Sequence, residues 1–167
     1  MESLEIATIN SPIGTIEISG SEKGIRSILW VDDCKPSNQI PACLQQCAAQ
    51  LKEYFAGGRH DFDIEIDPQG TAFQLRVWKA LKEIPFGATI TYLELACRVG
   101  GETFTRAVAN ANGKNKINII VPCHRVIGSN GKLTGYAGGL WRKEFLLKLE
   151  MGNLLPGLFG GLRQPID

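Results

Sequence analysis

The prevailing spacing of apolar residues changes along this chain at the segment Asp67-Pro68-Gln69-Gly70. Before it, apolar and polar residues mostly alternate as in strands, and after it apolar residues recur every three to four positions as in helices. Proline and glycine at the change favour a linker. We therefore expect an α+β protein with two domains, residues 1–68 and 69–152, and a mobile tail over residues 153–167.

The first half of the chain predicts a small sheet with one helix. Residues 10–14 are rich in turn formers and separate two alternating segments, as in a hairpin. From Ala42 to Phe55 the apolar residues take helical spacing, and Gly57-Gly58 ends the pattern. The predicted strands are residues 4–9, 15–18, 25–31 and 62–66.

The second half predicts four helices and one buried strand. Two helices begin at capping boxes, Thr71-x-x-Gln74 and Thr91-x-x-Glu94, and the second of them ends at Gly100-Gly101. Another helix follows directly, over residues 103–112. Two short helices joined by a glycine turn are typical of a helix-turn-helix, although an ordinary helical hairpin has the same pattern. The strand is predicted over residues 117–121 and the last helix from Leu140 to Glu150, with Arg142, Lys143 and Lys148 directed outward.

The helix predicted over residues 103–112 has two unlike faces. One face is small and flat apart from a single long cation, so it could approach a nucleic acid duplex closely. That face consists of Arg106, Ala109, Asn110 and Gly113. The apolar face consists of Phe104, Ala107, Val108 and Ala111.

The net charge of +1 conceals an asymmetry between the two halves. Residues 1–70 carry five basic and eleven acidic residues, whereas residues 71–150 carry twelve basic and five acidic ones. A basic half suits contact with the phosphates of a nucleic acid, although solvated charged surfaces are more common.

No stretch of the sequence is apolar enough to span a membrane, and the N-terminus lacks the pattern of a secretory signal. We expect a cytoplasmic protein, associated with the nucleoid or, in a eukaryote, located in the nucleus. The five cysteines lack the spacing of a disulfide framework, so thiols are expected. No metal is expected either, because Cys34, Cys43, Cys47 and His60 have no convincing ligand spacing.

Cys123 is the cysteine that a histidine follows directly, in Pro122-Cys123-His124-Arg125. A reactive thiol needs a base or a cationic setting to lose its proton near neutral pH. His124 and Arg125 supply these groups. A structural cysteine is the alternative, because the side chains of sequence neighbours usually diverge.

Glu150 falls on the apolar side of its predicted helix, near Leu146 and Leu147. A buried carboxylate is costly without a partner, so a cationic or hydrogen-bonding partner is expected. His124 is a good candidate, since the other histidine, His60, lies in the acidic half. Alternatively, the helix end frays and leaves Glu150 in water.

Two segments, residues 120–128 (IVPCHRVIG) and 135–139 (GYAGG), resemble the O6-alkylguanine-DNA alkyltransferases, whose hallmark is a PCHRV segment. The likeness runs without an apparent gap from about Phe73 to Glu150. It implies an N-terminal ribonuclease-H-like domain and a C-terminal winged helix-turn-helix-like domain that carries the active-site cysteine. The implied function is DNA repair by direct reversal: the alkyl group of O6-alkylguanine is transferred irreversibly to the protein after base flipping.

The resemblance also implies the roles of individual residues. Cys123 is the alkyl acceptor, so each molecule acts once. His124, through a bridging water, and Glu150 behind it form the relay that draws the thiol proton. Asn115 braces the active-site turn, and Tyr92 hydrogen-bonds the extruded base and lets guanine leave as a neutral species.

Arg106 matches the arginine that fills the gap left in the stack by the flipped nucleotide. The family's recognition helix usually opens with small residues, whereas Phe104 and Thr105 stand here. The other residues implied to contact DNA are Phe104, Thr105, Ala107, Ala109 and Arg125. The substrate pocket is implied to comprise Val126, Tyr136, Ala137 and Gly138, and backbone groups of Cys123, Val126 and Ala137 would read the guanine edge.

The expected partner is double-stranded DNA containing O6-alkylguanine, with O4-methylthymine as a further substrate. No cofactor is expected, because the damaged DNA is itself the alkyl donor. We expect a monomer that binds no membrane and needs no obligate protein partner. Three other functions fit parts of the pattern: a Cys-His-Glu hydrolase, which would turn over; a non-catalytic recognition protein or sensor for alkylated DNA, which would usually lack the cysteine; and a transcription regulator, which would normally carry further domains.

Overall fold

Contacts divide the computed structural model of this chain, which describes residues 2–152, into two units. The first unit contains the residues up to Thr71 together with Lys116–Ile120, and the second contains Ala72–Asn115 and the residues from Val121 onward. The chain therefore returns to the first unit for five residues, which the change in periodicity did not predict. The tail expected to be mobile, residues 153–167, lies outside the described residues.

The first unit is a three-stranded antiparallel sheet with one helix packed on it. Strands β1 (Glu5–Ser11), β2 (Gly14–Ser21) and β3 (Gly24–Val31) are neighbours in chain order. Residues 12 and 13 form the hairpin turn, and Ser11 pairs with Gly14. Helix α1 (Ala42–Phe55) has the predicted bounds and contacts β1 and β2.

The core of this unit follows from the alternation in the strands. Ile16 and Ile18 of β2 are fully buried, whereas Glu17 between them is half-buried. Leu44 and Leu51 on α1 are also fully buried. Each such side chain contributes roughly 1.5–3 kcal/mol relative to an exposed position.

Two of the predicted strands, residues 62–66 and 117–121, form only isolated bridges in the described structure. Ile66 forms a single parallel bridge to Ile25, and Ile117 forms one to Ile28. Residues 118–120 form a turn in which Ile119 has a φ of 72°, a left-handed conformation that interrupts an extended segment. The prediction that residues 117–121 are buried is confirmed, but their apolar run did not distinguish a strand from a buried turn.

The second unit is helical and contains one very small sheet. Its helices are α2 (Ala72–Lys82), α3 (Tyr92–Val99), α4 (Thr105–Gly113) and α5 (Leu140–Glu150). Its sheet is the parallel pair of β4 (Ile90–Thr91) and β5 (Val126–Ile127). The described part of the chain contains no helix long and apolar enough to cross a membrane.

Helices α3 and α4 form the predicted helix-turn-helix. The capping box at Thr91 is present: its hydroxyl accepts from the Glu94 backbone N–H, and the Glu94 carboxylate accepts from the Thr91 backbone N–H. Gly101, with a φ of 142°, turns the chain into a 3₁₀ turn over residues 102–104 that leads into α4. Trp78 of α2 donates from Nε1 to the Ala111 carbonyl at 2.9 Å and so ties α2 to α4.

The faces of α4 differ in part from the prediction. Val108 and Ala111 are buried as expected, but Phe104 and Ala107 are exposed. Phe104 belongs to the 3₁₀ turn, so the helical spacing did not apply to it. Its ring instead packs against Phe73 at a centroid distance of 6.0 Å.

Candidate active site

Cys123 begins a short 3₁₀ turn, Cys123–Arg125, and is 4% exposed. Two buried asparagines hold the backbone around it. Nδ2 of Asn115 donates to the Val121 carbonyl at 2.9 Å, and Nδ2 of Asn112 donates to the Cys123 carbonyl at 3.4 Å. Asn115 therefore lies against the turn that carries the thiol, where the resemblance places it.

His124 and Glu150 form a buried hydrogen bond. Nε2 of His124 lies 2.7 Å from Oε1 of Glu150, and the two side chains are 0% and 1% exposed. The pairing inferred from the helical position of Glu150 is confirmed, and a frayed, solvated helix end is ruled out. Glu150 closes α5, so the length of that helix places the carboxylate behind the turn of Cys123.

Arg125 belongs to the same buried cluster, and its assignment as a DNA-contacting residue is wrong. Its Nε donates to Oε2 of Glu150 at 2.8 Å, and its Nη2 donates to Oε1 at 3.0 Å. Nη1 donates to the Ile84 carbonyl at 2.7 Å, and the side chain is 8% exposed. A guanidinium engaged in this way has no accessible face for a phosphate.

These contacts define the protonation states of the cluster. Burial lowers the pKa of His124, so its ring is neutral near pH 7. Burial alone would raise the pKa of Glu150, but His124 and Arg125 lower it to about 2, and the permanently charged Arg125 keeps the carboxylate ionised. The ionised carboxylate of Glu150 can only accept a hydrogen bond, so the neutral ring of His124 carries its proton on Nε2. Nδ1, which is buried and has no partner among the described residues, is then a hydrogen-bond acceptor.

Burial raises the pKa of the Cys123 thiol, whereas a hydrogen bond from Asn115 and the positive charge of Lys143 lower it. Loss of the thiol proton therefore depends on these neighbours.

Lys143 is not directed outward as predicted. It is fully buried, and its Nζ donates to the carbonyls of Val126 at 2.6 Å and Thr134 at 2.8 Å. Burial lowers the pKa of Lys143 to about 8. The signal was available in the sequence, because Lys143 precedes buried Leu146, Leu147 and Glu150 by three, four and seven residues.

Tyr92 stands at the start of α3 and reaches the same region. Its hydroxyl donates to the Thr134 carbonyl at 3.2 Å, and its ring centroid lies 5.8 Å from Nζ of Lys143. Burial raises the pKa of Tyr92, while side-chain hydrogen bonds with Thr134 and Asn112 oppose that rise. Sequence reasoning found Tyr92 but missed Asn112, whose position four residues after buried Val108 was the available signal.

The residues assigned to the substrate pocket are sequence neighbours of Arg125 and Thr134: Val126 follows Arg125, and residues 136–138 follow Thr134. Val126 is fully buried, and its carbonyl accepts from Lys143. The segment from Tyr136 closes on itself through a hydrogen bond from Gly139 N–H to the Tyr136 carbonyl, at 2.9 Å. Gly138 is buried, whereas Ala137 is exposed.

The residues assigned to DNA contact lie at the start of α4 and in the turn before it. Arg106 is exposed, as the proposed role of this side chain requires. Thr105 uses its hydroxyl locally, donating to the Glu102 carbonyl at 2.6 Å. Ala107 is exposed and Ala109 is half-buried, so the side chains next to Arg106 on this helix are small.

Within residues 2–152, no three histidine, cysteine, aspartate or glutamate side chains are grouped so that they could hold a metal ion.

Two family models match the chain. Residues 5–68 match the ribonuclease-like domain of 6-O-methylguanine DNA methyltransferase, and residues 72–152 match its DNA-binding domain. The methylated-DNA–protein-cysteine methyltransferase of Methanosarcina barkeri is 51% identical over 153 residues, which cover 87% of this chain and 96% of that relative. The protein of the same name from Mycolicibacterium paratuberculosis is 47% identical over 152 residues, 88% of this chain and 92% of the relative.

Solved structures give the same result. The O6-methylguanine methyltransferase of Mycobacterium tuberculosis matches with a TM-score of 0.82 and 43% identity, covering 93% of this chain and 98% of that chain. A crystal structure of Mycobacterium tuberculosis OGT in complex with DNA matches with a TM-score of 0.82 and 45% identity, covering 91% and 96%. The expected α+β class, with a sheet domain before a helical DNA-binding domain, is confirmed. The chain therefore belongs to the 6-O-methylguanine DNA methyltransferase family.

Proposed function

We propose that this chain is a methylated-DNA–protein-cysteine methyltransferase, which repairs O6-alkylguanine in double-stranded DNA by moving the alkyl group to Sγ of Cys123. The names of its relatives support this activity. The observation that carries it is the buried thiol next to a histidine whose tautomer is set by an ionised glutamate. The sulfur is alkylated permanently, so each molecule acts once.

The transfer is a displacement at the alkyl carbon. The thiol proton passes through a bridging water to Nδ1 of His124, and Glu150 stabilises the imidazolium that results. Sγ of Cys123 then bonds to the alkyl carbon as the bond between that carbon and O6 breaks. The electron pair of the broken bond stays on guanine, which takes up the proton held by the His124 imidazolium and so is the neutral leaving group, with the Tyr92 hydroxyl as its hydrogen-bond donor.

Positive charge near the sulfur favours its ionised form. Lys143 brings an ammonium group to the site while holding the carbonyls of Val126 and Thr134. Asn115 adds a hydrogen bond to Cys123. Together these groups oppose the effect of burial, which is larger and still leaves the pKa of Cys123 above its ordinary value.

The alkylated base is out of reach inside a duplex, so it must leave the stack at a cost of roughly a few kcal/mol. We propose that α4 lies in the minor groove and that Arg106 fills the gap left by the extruded nucleotide. The small side chains Ala107 and Ala109 allow close approach, and the basic second half of the chain meets the phosphates. No cofactor is needed, because the DNA supplies the alkyl group.

We further propose that the chain acts as a monomer in the compartment that holds the genome, the cytoplasm of a prokaryote or the nucleus of a eukaryote. O4-methylthymine is proposed as a second substrate of the same reaction.

Stoichiometry tests the proposal against hydrolysis by the same Cys-His-Glu group. An oligonucleotide with a labelled O6-methyl group should lose its label to protein until one equivalent is bound, and then the reaction should stop. Continued release of small product would indicate a hydrolase. Binding of the oligonucleotide without any transfer would indicate a recognition protein or sensor.

A further inference from the structure

Two neighbouring cations of α5 hold the two ends of residues 134–139, a segment that we call the lip and that contains part of the assigned substrate pocket. At its start, the Thr134 carbonyl accepts from Nζ of Lys143 at 2.8 Å. At its end, the Gly138 carbonyl accepts from Nη1 of Arg142 at 2.9 Å. Both side chains were predicted to be directed outward, whereas both bind the backbone of the lip.

The lip ends in a tight turn that leads directly into α5. The Gly139 N–H donates to the Tyr136 carbonyl at 2.9 Å and closes the turn over residues 137 and 138. The Gly139 carbonyl accepts from the backbone N–H of Arg142 at 3.1 Å. Arg142 therefore holds two successive carbonyls of the lip, that of Gly138 with its side chain and that of Gly139 with its backbone.

The guanidinium of Arg142 is itself supported by the ring of Trp141. Its Cζ lies 4.6 Å from the centroid of that ring. A planar guanidinium can contact a ring with its face while its edge donates hydrogen bonds, which an ammonium group cannot do. The Trp141 ring also lies against Gly139, where an added Cβ would come within 3.2 Å of it and φ is 94°. Trp141 thus packs on both the guanidinium and the end of the lip.

We propose that Arg142 is a positioning residue that holds the lip in the conformation that binds the extruded base. The inference rests on the proposed function, in which residues 136–138 line the pocket for guanine. A segment that is ordered before the base arrives loses less conformational entropy on binding, so the base binds more tightly. Because Arg142 acts on the lip, its contribution should appear in the concentration of substrate that gives the half-maximal rate, and the limiting rate of alkyl transfer should not depend on it.

Two other roles for Arg142 make different predictions. If its side chain contacts a DNA phosphate, its loss weakens the reaction with a duplex and leaves the reaction with a free base unchanged. If its role is purely structural, its loss lowers the free energy of unfolding, but the protein that remains folded binds the base as before.

The test follows single-turnover transfer to Arg142→Met against substrate concentration, with free O6-benzylguanine and with an O6-methylguanine duplex. Methionine keeps an apolar stem but donates no hydrogen bond. For both substrates we expect the half-saturating concentration to rise about tenfold, as for the loss of one hydrogen bond from a charged group, and the limiting rate to stay within about twofold.

Two further variants bracket this result. Arg142→Lys keeps a charged donor, so its half-saturating concentration should stay within about threefold of the unmodified value. Lys148→Met removes a partly exposed cation from the same helix and is the matched control. It should react with the free base as the unmodified chain does.

A second readout needs no substrate. Hydrogen exchange at the Gly139 amide, which is bonded to the Tyr136 carbonyl, should be at least about fivefold faster in Arg142→Met. Exchange of the amides in the middle of α2 should be unchanged. A general loss of stability would instead speed exchange in α2 as well, so this readout separates a released lip from a destabilised protein.

An unchanged half-saturating concentration for the free base, or unchanged exchange at Gly139, would overturn the inference and leave the proposed function standing. A rise confined to the duplex would also overturn it, in favour of a phosphate contact. If the unmodified chain takes up an alkyl group from neither substrate, the proposed function fails and the inference fails with it.

Discussion

Nε2 of His124 lies 2.7 Å from Oε1 of Glu150, although 26 residues separate them in the chain. The same carboxylate accepts two hydrogen bonds from Arg125. His124 and Arg125, which follow Cys123 in the same turn, are therefore both hydrogen-bonded to Glu150, the last residue of α5. The carboxylate both neutralises a buried guanidinium and sets the histidine tautomer, so changes at Glu150 should affect stability and reaction together.

Replacing Glu150 by Gln should destabilise the protein and slow alkyl transfer. The amide leaves the buried Arg125 without a counter-charge, which costs about 3–5 kcal/mol, and it no longer favours the imidazolium form of His124. Urea unfolding measures the first effect, and single-turnover transfer measures the second.

Glu144→Gln is the matched control, since Glu144 lies on the same helix in an exposed pair with Lys148. Its effect on the free energy of unfolding should stay within about 0.5 kcal/mol. An unchanged transfer rate in Glu150→Gln would leave this carboxylate a purely structural role.

The free energy of unfolding should decrease in two steps as the pH is lowered from 7. Burial lowers the pKa of His124 from 6.5, so below that pH the unfolded chain binds a proton that the folded chain resists. The pKa of Glu150 is about 2 against 4.5 for a free carboxyl, so its stabilisation is complete above 4.5 and is lost as the pH falls toward 2. The free energy of unfolding, measured from pH 7 to pH 3, should decline less steeply below 4.5 in Glu150→Gln. Parallel curves in that range would refute this assignment.

Lys143→Met should slow the reaction at neutral pH by about tenfold or more, because it removes the positive charge that favours the Cys123 thiolate. The rate of transfer from free O6-benzylguanine, followed against pH, should reach its half-maximum at a higher pH than in the unmodified chain. Lys148→Met, on the same helix but half exposed, is the control and should leave the profile in place. A Lys143→Met profile that coincides with it would exclude an electrostatic role.

The relation between sequence and structure is clearest on α5. The spacing of its apolar residues predicted its bounds and the buried side of Glu150, and both are found in the structure. The same spacing also placed Lys143 on that side, yet a lysine is usually assigned to the surface. Two backbone carbonyls from distant segments satisfy its ammonium group, and such partners cannot be seen in a local pattern.

Arg125 illustrates the same limit. The resemblance implies that Arg125 contacts DNA, but the partners of its side chain are the Ile84 carbonyl and Glu150, 41 and 25 residues away. In contrast, the capping box at Thr91 depends on four consecutive residues, so the sequence predicted it correctly. Local hydrogen bonds can be predicted from a pattern, whereas buried ion pairs depend on the packing of the whole unit.

Arg106→Ala should impair repair of duplex DNA more than transfer from a free base, because only the duplex has a gap to fill. We expect at least a tenfold loss with an O6-methylguanine duplex and less than a twofold change with free O6-benzylguanine, on the order expected when one phosphate- or base-contacting arginine is lost. Lys52→Ala, an exposed cation on α1, controls for the change in net charge. Equal losses of Arg106→Ala on both substrates would remove Arg106 from this role.

The central claim is that one sulfur takes up one alkyl group. Intact-mass analysis after incubation with an O6-methylguanine duplex should show a gain of about 14 Da, and peptide mapping should place the added methyl on Cys123. Cys123→Ser should gain no mass under the same conditions. An unchanged mass, with Cys123 reduced and the duplex bound, would contradict the account.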